Sequence, residues 1–222
     1  MSNIERKGLS GVAASFAAAL VLTAFAASTS FAADTPPSPA GDTSAQPPTI
    51  HTGDAWTDRL SSGDKDFKVT SMTSDGVSFT QWGAEQQSDS QWNPMVTRSL
   101  TEAESPPLNY EKPLLLYPFP LTPGKTWSAE ARWQIPDIEQ AGRSDVDGKV
   151  GDWEQVTVPA GTYRAIKVDL TIRLIGRLGF NDTTRITYWY VPEVNRFVKY
   201  HYQDESQGIV DTVMVSYAPV KQ

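Results

Sequence analysis

The stretch that decides the fold is Asp152–Gly176, DWEQVTVPAGTYRAIKVDLTIRLIG. From Arg164 onward the even positions Ile166, Val168, Leu170, Ile172 and Leu174 are apolar, and the odd positions Lys167, Asp169, Thr171 and Arg173 are polar. A period of two over that length is a strand with one buried and one wet face. Trp153 to Val158 reads as its partner, and Pro159-Ala160-Gly161 supplies the turn: proline presets φ at the second turn position and glycine suits the fourth. The pair is a β-hairpin, and the chain around it reads the same way.

Thr183 to Val191, Arg196 to Gln203 and Ile209 to Tyr217 are short runs of aromatic and β-branched residues separated by polar turns, which predicts an antiparallel meander in the C-terminal half. Upstream, Phe67 to Thr73 and Val77 to Trp82 flank Ser74-Asp75-Gly76, a strong hairpin signal. Gly83 to Pro94 turns polar and reads as a surface loop or a single helical turn. Leu108 to Trp127 holds four prolines. Because proline cannot donate to a sheet ladder, Leu114 to Leu121 is expected as an extended edge segment laying Leu115, Tyr117, Phe119 and Leu121 on the core. Lys125 to Gln134 follows as a strand, and Asp137 to Lys149 as a connection. No amphipathic helix stands out. The fold class is all-β: a single curved antiparallel sheet, as a half-barrel or an open barrel or sandwich.

The N-terminus is a targeting signal. Arg6 and Lys7 precede an Ala-rich apolar run from Gly11 to Ala27, and Ser30-Phe31-Ala32 offers small residues at the positions a signal peptidase reads. Residues 1–32 are therefore expected to be cleaved after Ala32 and the rest to enter the periplasm or the medium; an uncleaved anchor is the alternative, since the run is nearly long enough to span. Residues 33–53, with Pro36, Pro37, Pro39, Pro47 and Pro48, lack the apolar content to offset ordering and read as a disordered linker. Residues 54–220 are left as one domain. The absence of cysteine excludes disulfides, thiol catalysis and a lipid-modified cysteine. The net charge of −7 belongs to a soluble protein and argues against nucleic acid as partner.

The motifs GDWEQVTVPAGTYRAIKV (151–168) and TYWYVPEVNRFVKY (187–200), with YPFPLTPGKTW (117–127) upstream, resemble a group of bacterial secreted domains of unknown function. The resemblance implies a curved antiparallel sheet, like the half-barrel of periplasmic lipoprotein carriers, and no site residues. Asn195 stands where that group has a turn glycine, and asparagine tolerates the same left-handed backbone.

Few side chains suggest chemistry. His51 and His201 are the only imidazoles, and His201, on a strand, reads as an ordinary strand residue rather than a ligand or base. Asp145, Asp147, Asp152 and Glu154 cluster, but in the wrong register for a calcium loop and between strands. No signature marks a glycosidase carboxylate pair. Tryptophan and a basic stripe remain. Trp82 and Trp92, set among polar residues, are the tryptophans expected to be exposed, able to stack on sugars or line a cavity. Arg164, Lys167, Arg173, Arg177, Arg185, Arg196 and Lys199 outnumber Asp169, Asp182 and Glu193 in a chain that is acidic overall. Trp82, Trp92, Lys167, Arg173 and Arg177 are the candidate ligand or partner surface. The expected function is non-enzymatic, with no cofactor or metal: an envelope binding or assembly protein holding an apolar molecule on a concave sheet face. The alternatives are a protein- or glycan-interaction module with a solid core, and a carboxylate-based envelope hydrolase. No membrane insertion is expected after signal cleavage.

Overall fold

A computed structural model describes residues 43–82, 84–97, 106–177, 181–204 and 208–218; the signal and residues 33–42 of the expected linker lie outside them. Twelve antiparallel strands follow in order: β1 (Ala55–Leu60), β2 (Gly63–Thr73), β3 (Gly76–Gln81), β4 (Ala84–Ser88), β5 (Pro94–Thr97), β6 (Leu108–Tyr110), β7 (Thr126–Ile135), β8 (Gln140–Val158), β9 (Gly161–Gly176), β10 (Asn181–Val191), β11 (Arg196–Asp204) and β12 (Gly208–Ala218). Each pairs with its neighbours in sequence, and β1 pairs with β12 as well as β2, so the curved sheet closes into a barrel.

The organising hairpin is the β8–β9 pair, with Val158 opposite Gly161 across a two-residue turn and Gly142 opposite Gly176 at the far end. The inward residues of β9, Ile166 to Leu174 at even positions, are buried. A bulge between Val150 and Trp153 bends the hairpin, and its tip folds back so that Ala160 N–H donates to the Met214 carbonyl at 3.2 Å. The C-terminal meander of β9 to β12 follows the expected boundaries to within two residues.

Two of the strand connections use the same device. β7 and β8, and again β10 and β11, are joined by a single 3₁₀ turn, Pro136–Ile138 and Pro192–Val194, each followed by a residue in the left-handed region: Glu139 at φ 53° and Asn195 at φ 53°. Asn195 therefore takes the conformation expected of it. The sequences Trp133-Gln-Ile-Pro-Asp-Ile-Glu139 and Trp189-Tyr-Val-Pro-Glu-Val-Asn195 repeat one pattern.

Eight strands make a barrel whose lumen side chains can just fill; more strands leave room over. This chain puts its own backbone into that room. Leu114, Leu116, Tyr117 and Leu121 are buried in one cluster with the inward residues of β9. Leu116 and Tyr117 both donate backbone N–H to Asn93 Oδ1 at 2.8 Å, and the Lys125 ammonium caps the carbonyls of Pro118 and Pro120. The segment is thus an internal plug rather than an edge strand, and its irregular path breaks the alternation: Leu115, expected on the core, is 36 % exposed, while Leu114 and Leu116 are buried.

Three further expectations change. Gly83 to Pro94 contains the strand β4 rather than a loop or helical turn; Gln86 and Ser88 alternate inward in place of the apolar residues that would have marked a strand. Asp137 to Lys149 is mostly the first half of β8, because the Asp147-Gly148 pair is not a turn: Gly148 lies under the ring of Trp127, its cross-strand partner. Residues 43–53 of the expected linker pack against the barrel. Ala45, 1 % exposed, forms a two-way backbone bridge with Leu121, Ala45 N–H to Leu121 O at 2.8 Å and the reverse at 2.9 Å, and Ile50 is buried. Ala45 and Ile50 dock this stretch together with hydrogen bonds from Thr49 N–H to Asn195 Oδ1 and from the Tyr190 hydroxyl to the Gln46 carbonyl, which the proline count conceals.

Candidate functional site

Between the plug and the strands β2 to β5 and β10 to β12 the barrel keeps a cavity of about 150 Å³. One wall is made by Phe67, Phe79 and Trp92. The Phe67 and Phe79 rings stack at 4.7 Å, and Trp92 meets each edge-on at 5.5 Å. Opposite stand Tyr117 from the plug, Tyr188 from β10 and Phe197 from β11, with Tyr117 and Phe197 4.3 Å apart and Tyr188 5.1 Å from Phe197. Offset and edge contacts of this kind contribute about 0.5–1.5 kcal/mol each beyond burial, so the rings form a fixed lining.

That lining is set by a short polar network. Asp89 accepts from the backbone N–H of Gln91 and Asn93 at 2.8 and 2.9 Å and from Asn93 Nδ2 at 3.0 Å. Asn93 then holds Leu116 and Tyr117, so one five-residue turn places both Trp92 and Tyr117. Trp92 is fixed at its other end by donating Nε1–H to the Asn195 carbonyl at 3.3 Å. Trp82 and Trp92 both adopt positive φ, 55° and 65°. A bulky residue there is an outlier costing on the order of 1–3 kcal/mol, sustained only by surrounding structure, and both tryptophans line this one cavity.

The cavity has one charged wall residue among the described ones, Arg196. Its side chain is 3 % exposed and its Nη2 lies 2.5 Å from Oδ2 of Asp58, which is 0 % exposed. Trp82 Nε1–H donates to the same oxygen at 3.3 Å, and Arg196 also donates to the Tyr200 hydroxyl at 3.4 Å and through Nε to the Phe197 carbonyl at 3.3 Å. The guanidinium packs over the rings of Phe67 and Trp56, 4.4 and 4.9 Å from their centroids. Burial pushes the Asp58 carboxyl above its ordinary range against the pull of Arg196, whereas Asp58 and Tyr200 hold the guanidinium up against the opposing effect of its own burial. The short contact, together with the Trp82 donor, makes this an ion pair. Arg196 Nη1 and Asp58 Oδ1 are buried with no hydrogen-bond partner among the described residues. Burial likewise raises the phenols of Tyr117, Tyr188 and Tyr200, so they remain neutral donors.

The sequence-predicted surface divides. Trp82 and Trp92 come together at the cavity and are half-buried rather than exposed. Lys167 and Arg173 lie on the outward side of β9, paired with Asp169 at 3.3 Å and Asp147 at 2.6 Å, and Arg177 is exposed at the end of that strand. Elsewhere in the basic stripe, Arg164 and Lys199 lie over Trp153 and Trp189, Lys167 and Lys199 flank Trp189 on the neighbouring strands, and Arg196 is inside. His201 pairs with the exposed Asp211 at 2.7 Å. Among the described residues, no three His, Cys, Asp or Glu side chains converge as a metal ion would require.

Sequence reasoning missed Asp58, Arg196, Tyr117 and Tyr188 as a group. For Asp58 a signal existed: in Trp56-Thr-Asp-Arg-Leu60 the carboxylate shares the parity of two buried apolar residues. Arg196 carried the same signal, sharing the parity of Val198, Tyr200 and Tyr202 on its strand, but its charge placed it in the basic stripe.

No protein-family model matches the chain, and no curated protein does. Solved structures do, at low similarity. One is a protein designated a lipoprotein from Parabacteroides distasonis: 15 % identity, 80 % of this chain and 100 % of that one covered, TM-score 0.43. A second is an exported protein with a YmcC-like fold from Bacteroides fragilis: 12 % identity, 79 % and 99 % covered, TM-score 0.43. A third is the hypothetical lipoprotein YmcC from Escherichia coli: 11 % identity, 76 % and 86 % covered, TM-score 0.45. Likenesses of this degree say nothing about what this chain binds.

Proposed function

We propose that this is an exported, non-enzymatic binding protein of the bacterial envelope that holds a small apolar or aromatic molecule inside its barrel. The observation that carries the reading is the ring-lined cavity, with two tryptophans held in strained backbone at its wall. Strain kept at one place by a dedicated hydrogen-bond network points to a use for that place. The size narrows the ligand class. About 150 Å³ equals the apolar cavity that accommodates benzene in an engineered protein core, and it is too small to enclose a whole lipid. Location rests on the signal-like N-terminus. The outward side of the barrel agrees with an aqueous compartment: Asp147, Lys149, Asp169, Arg173 and Arg185 face out along three adjacent strands, the inverse of the apolar-out pattern of a lipid-facing barrel.

The test is native mass spectrometry of the mature protein isolated from its own envelope fraction, before and after organic extraction, followed by titration of the extracted protein with toluene and benzamide while tryptophan emission is recorded. Extra mass that extraction removes, and emission that responds to the probes, support the reading. An apo mass throughout, with unchanged emission, sinks it in favour of an interaction module acting through its outer face.

A further inference from the structure

On the opposite side of the sheet from the cavity, we propose a second binding site: an outer groove across β8 to β11 that takes a short stretch of an uncharged polyhydroxylic chain, a neutral oligosaccharide. The inference does not depend on what the barrel holds inside. It starts from the strand register. Lys149, Asp169, Thr187 and His201 stand opposite one another in a row across the four strands, and Asp147, Thr171, Arg185 and Gln203 form the next row. All of them point outward, are at least partly exposed, and line one groove of about 420 Å³, a volume in the range of small-molecule sites. With strands about 4.8 Å apart, each row runs about 14 Å, long enough for more than one sugar ring.

The chemistry of the lining selects the occupant. Its lysine and arginine are matched in number by its two aspartates, so a ligand carboxylate meets two carboxylates and a ligand ammonium meets two cations. Both aspartates already have cations from outside the groove, Asp169 with Lys167 at 3.3 Å and Asp147 with Arg173 at 2.6 Å. What the groove offers is donors and acceptors side by side. Lys149 and Arg185 donate, Asp147 and Asp169 accept, and the Thr171 hydroxyl and Gln203 carboxamide do both. A sugar hydroxyl likewise donates and accepts. The two acceptors are held in place: Asp169 takes the Thr187 hydroxyl at 2.7 Å and Asp147 the Ser128 hydroxyl at 2.7 Å, which lowers the cost of ordering them on binding. Exposed polar contacts exchange with water and add little each, so a sugar also needs an apolar contact. Trp189 supplies it. It lies two residues beyond Thr187 on the same side of β10, half-buried, with its indole N–H committed to Glu154 Oε1, so its ring carbons face the groove end as an apolar surface. The Lys199 ammonium, 4.6 Å from the ring centroid, adds a donor at that end.

The experiment titrates the full-length mature protein with cellotetraose, maltotetraose, chitotetraose and, as a charged chain of the same length, tetragalacturonate, read by calorimetry and by ligand-observed saturation-transfer NMR. At least one neutral tetramer is expected to bind, about tenfold or more tighter than tetragalacturonate. The double variant Arg185→Ala/Gln203→Ala changes two exposed outward residues and should weaken that binding by about tenfold or more, while a urea midpoint like that of wild type shows the barrel intact. Lys149→Ala, on the strand at the other side of the groove, should act in the same direction. Tetragalacturonate binding as tightly as the neutral tetramers overturns the proposal by making the groove an anion site. A neutral tetramer whose affinity survives the groove variants overturns it by placing the sugar elsewhere on the protein. Silence of all the tetramers overturns it outright. None of these outcomes bears on the cavity, which mass spectrometry and toluene test separately.

Discussion

Replacing Arg196 with Met tests the pair at the centre of the cavity wall. Met preserves most of the volume and the packing on Phe67 and Trp56, but leaves Asp58, 0 % exposed, with only the Trp82 indole as donor. Breaking one side of a buried ion pair costs about 3–5 kcal/mol, a large part of the 5–15 kcal/mol typical of a whole domain. At a urea slope of about 2 kcal/mol/M, the unfolding midpoint falls by roughly 1.5–2.5 M. The sign of the pH dependence follows from Asp58. Its folded pKa lies above the unfolded one, so the penalty is absent below the unfolded value near 4, where the carboxyl is protonated in both states, and grows as pH rises towards the folded value. R196M is therefore most destabilised at neutral pH and recovers towards pH 4. The double variant D58N/R196M, with both charges gone and the Trp82 hydrogen bond kept, should recover most of the loss at neutral pH. Urea melts of the wild type, both singles and the double close the cycle. An R196M stability within about 1 kcal/mol of wild type, or a double variant no better than the sum of the singles, would refute the buried pair.

Two further outcomes follow from the packing. A Cβ at Gly142 would collide with the Ile175 carbonyl oxygen and the ring of Trp133, so Gly142→Ala should cost about 1–3 kcal/mol and lower the melting temperature by about 2–4 °C per kcal/mol; a neutral substitution in a thermal melt would show that the ring does not lie on that glycine. The phenols of Tyr117, Tyr188, Tyr190 and Tyr202 are raised chiefly by burial. Their contribution to stability is complete below the unfolded value near 10 and is lost as pH climbs towards the folded values. Their phenolate absorbance should therefore rise together with loss of the strand circular dichroism, whereas all eight tyrosines ionising near pH 10 in an intact barrel would contradict the buried placement.

Much of the scaffold was legible because alternation survives wherever a strand has one wet face. Ile166 to Leu174 and the three C-terminal strands announce themselves in this way, and Asn195 could be assigned its backbone from residue type alone. The failures share a cause. β4 was hidden because its inward residues, Gln86 and Ser88, are polar and face the cavity. The plug was misread at Leu115 because prolines remove the period that would have assigned its faces. The start of β8 was taken for a connection because an Asp-Gly pair usually turns, and only the cross-strand ring of Trp127 explains why this one does not. Of the site, Trp82 and Trp92 were visible by composition, but their convergence with Arg196 depends on a bulge and on pairing across the whole chain, which no local pattern records.

The seam where β1 meets β12 sets the order in which this protein can come into being. Ala55 pairs with Ala218 and Trp56 with Tyr217, the contacts of longest sequence separation in the barrel, and such contacts fold late because loop closure must precede them. A chain emerging N-terminus first from an export channel would hold β1 with one open edge until β12 arrives, and unpaired edges invite association with other chains. In the export proposed above, closure would be coupled to completion of transport, and a chain stopped short of β12 would leave β1 and β11 each with an unpaired edge.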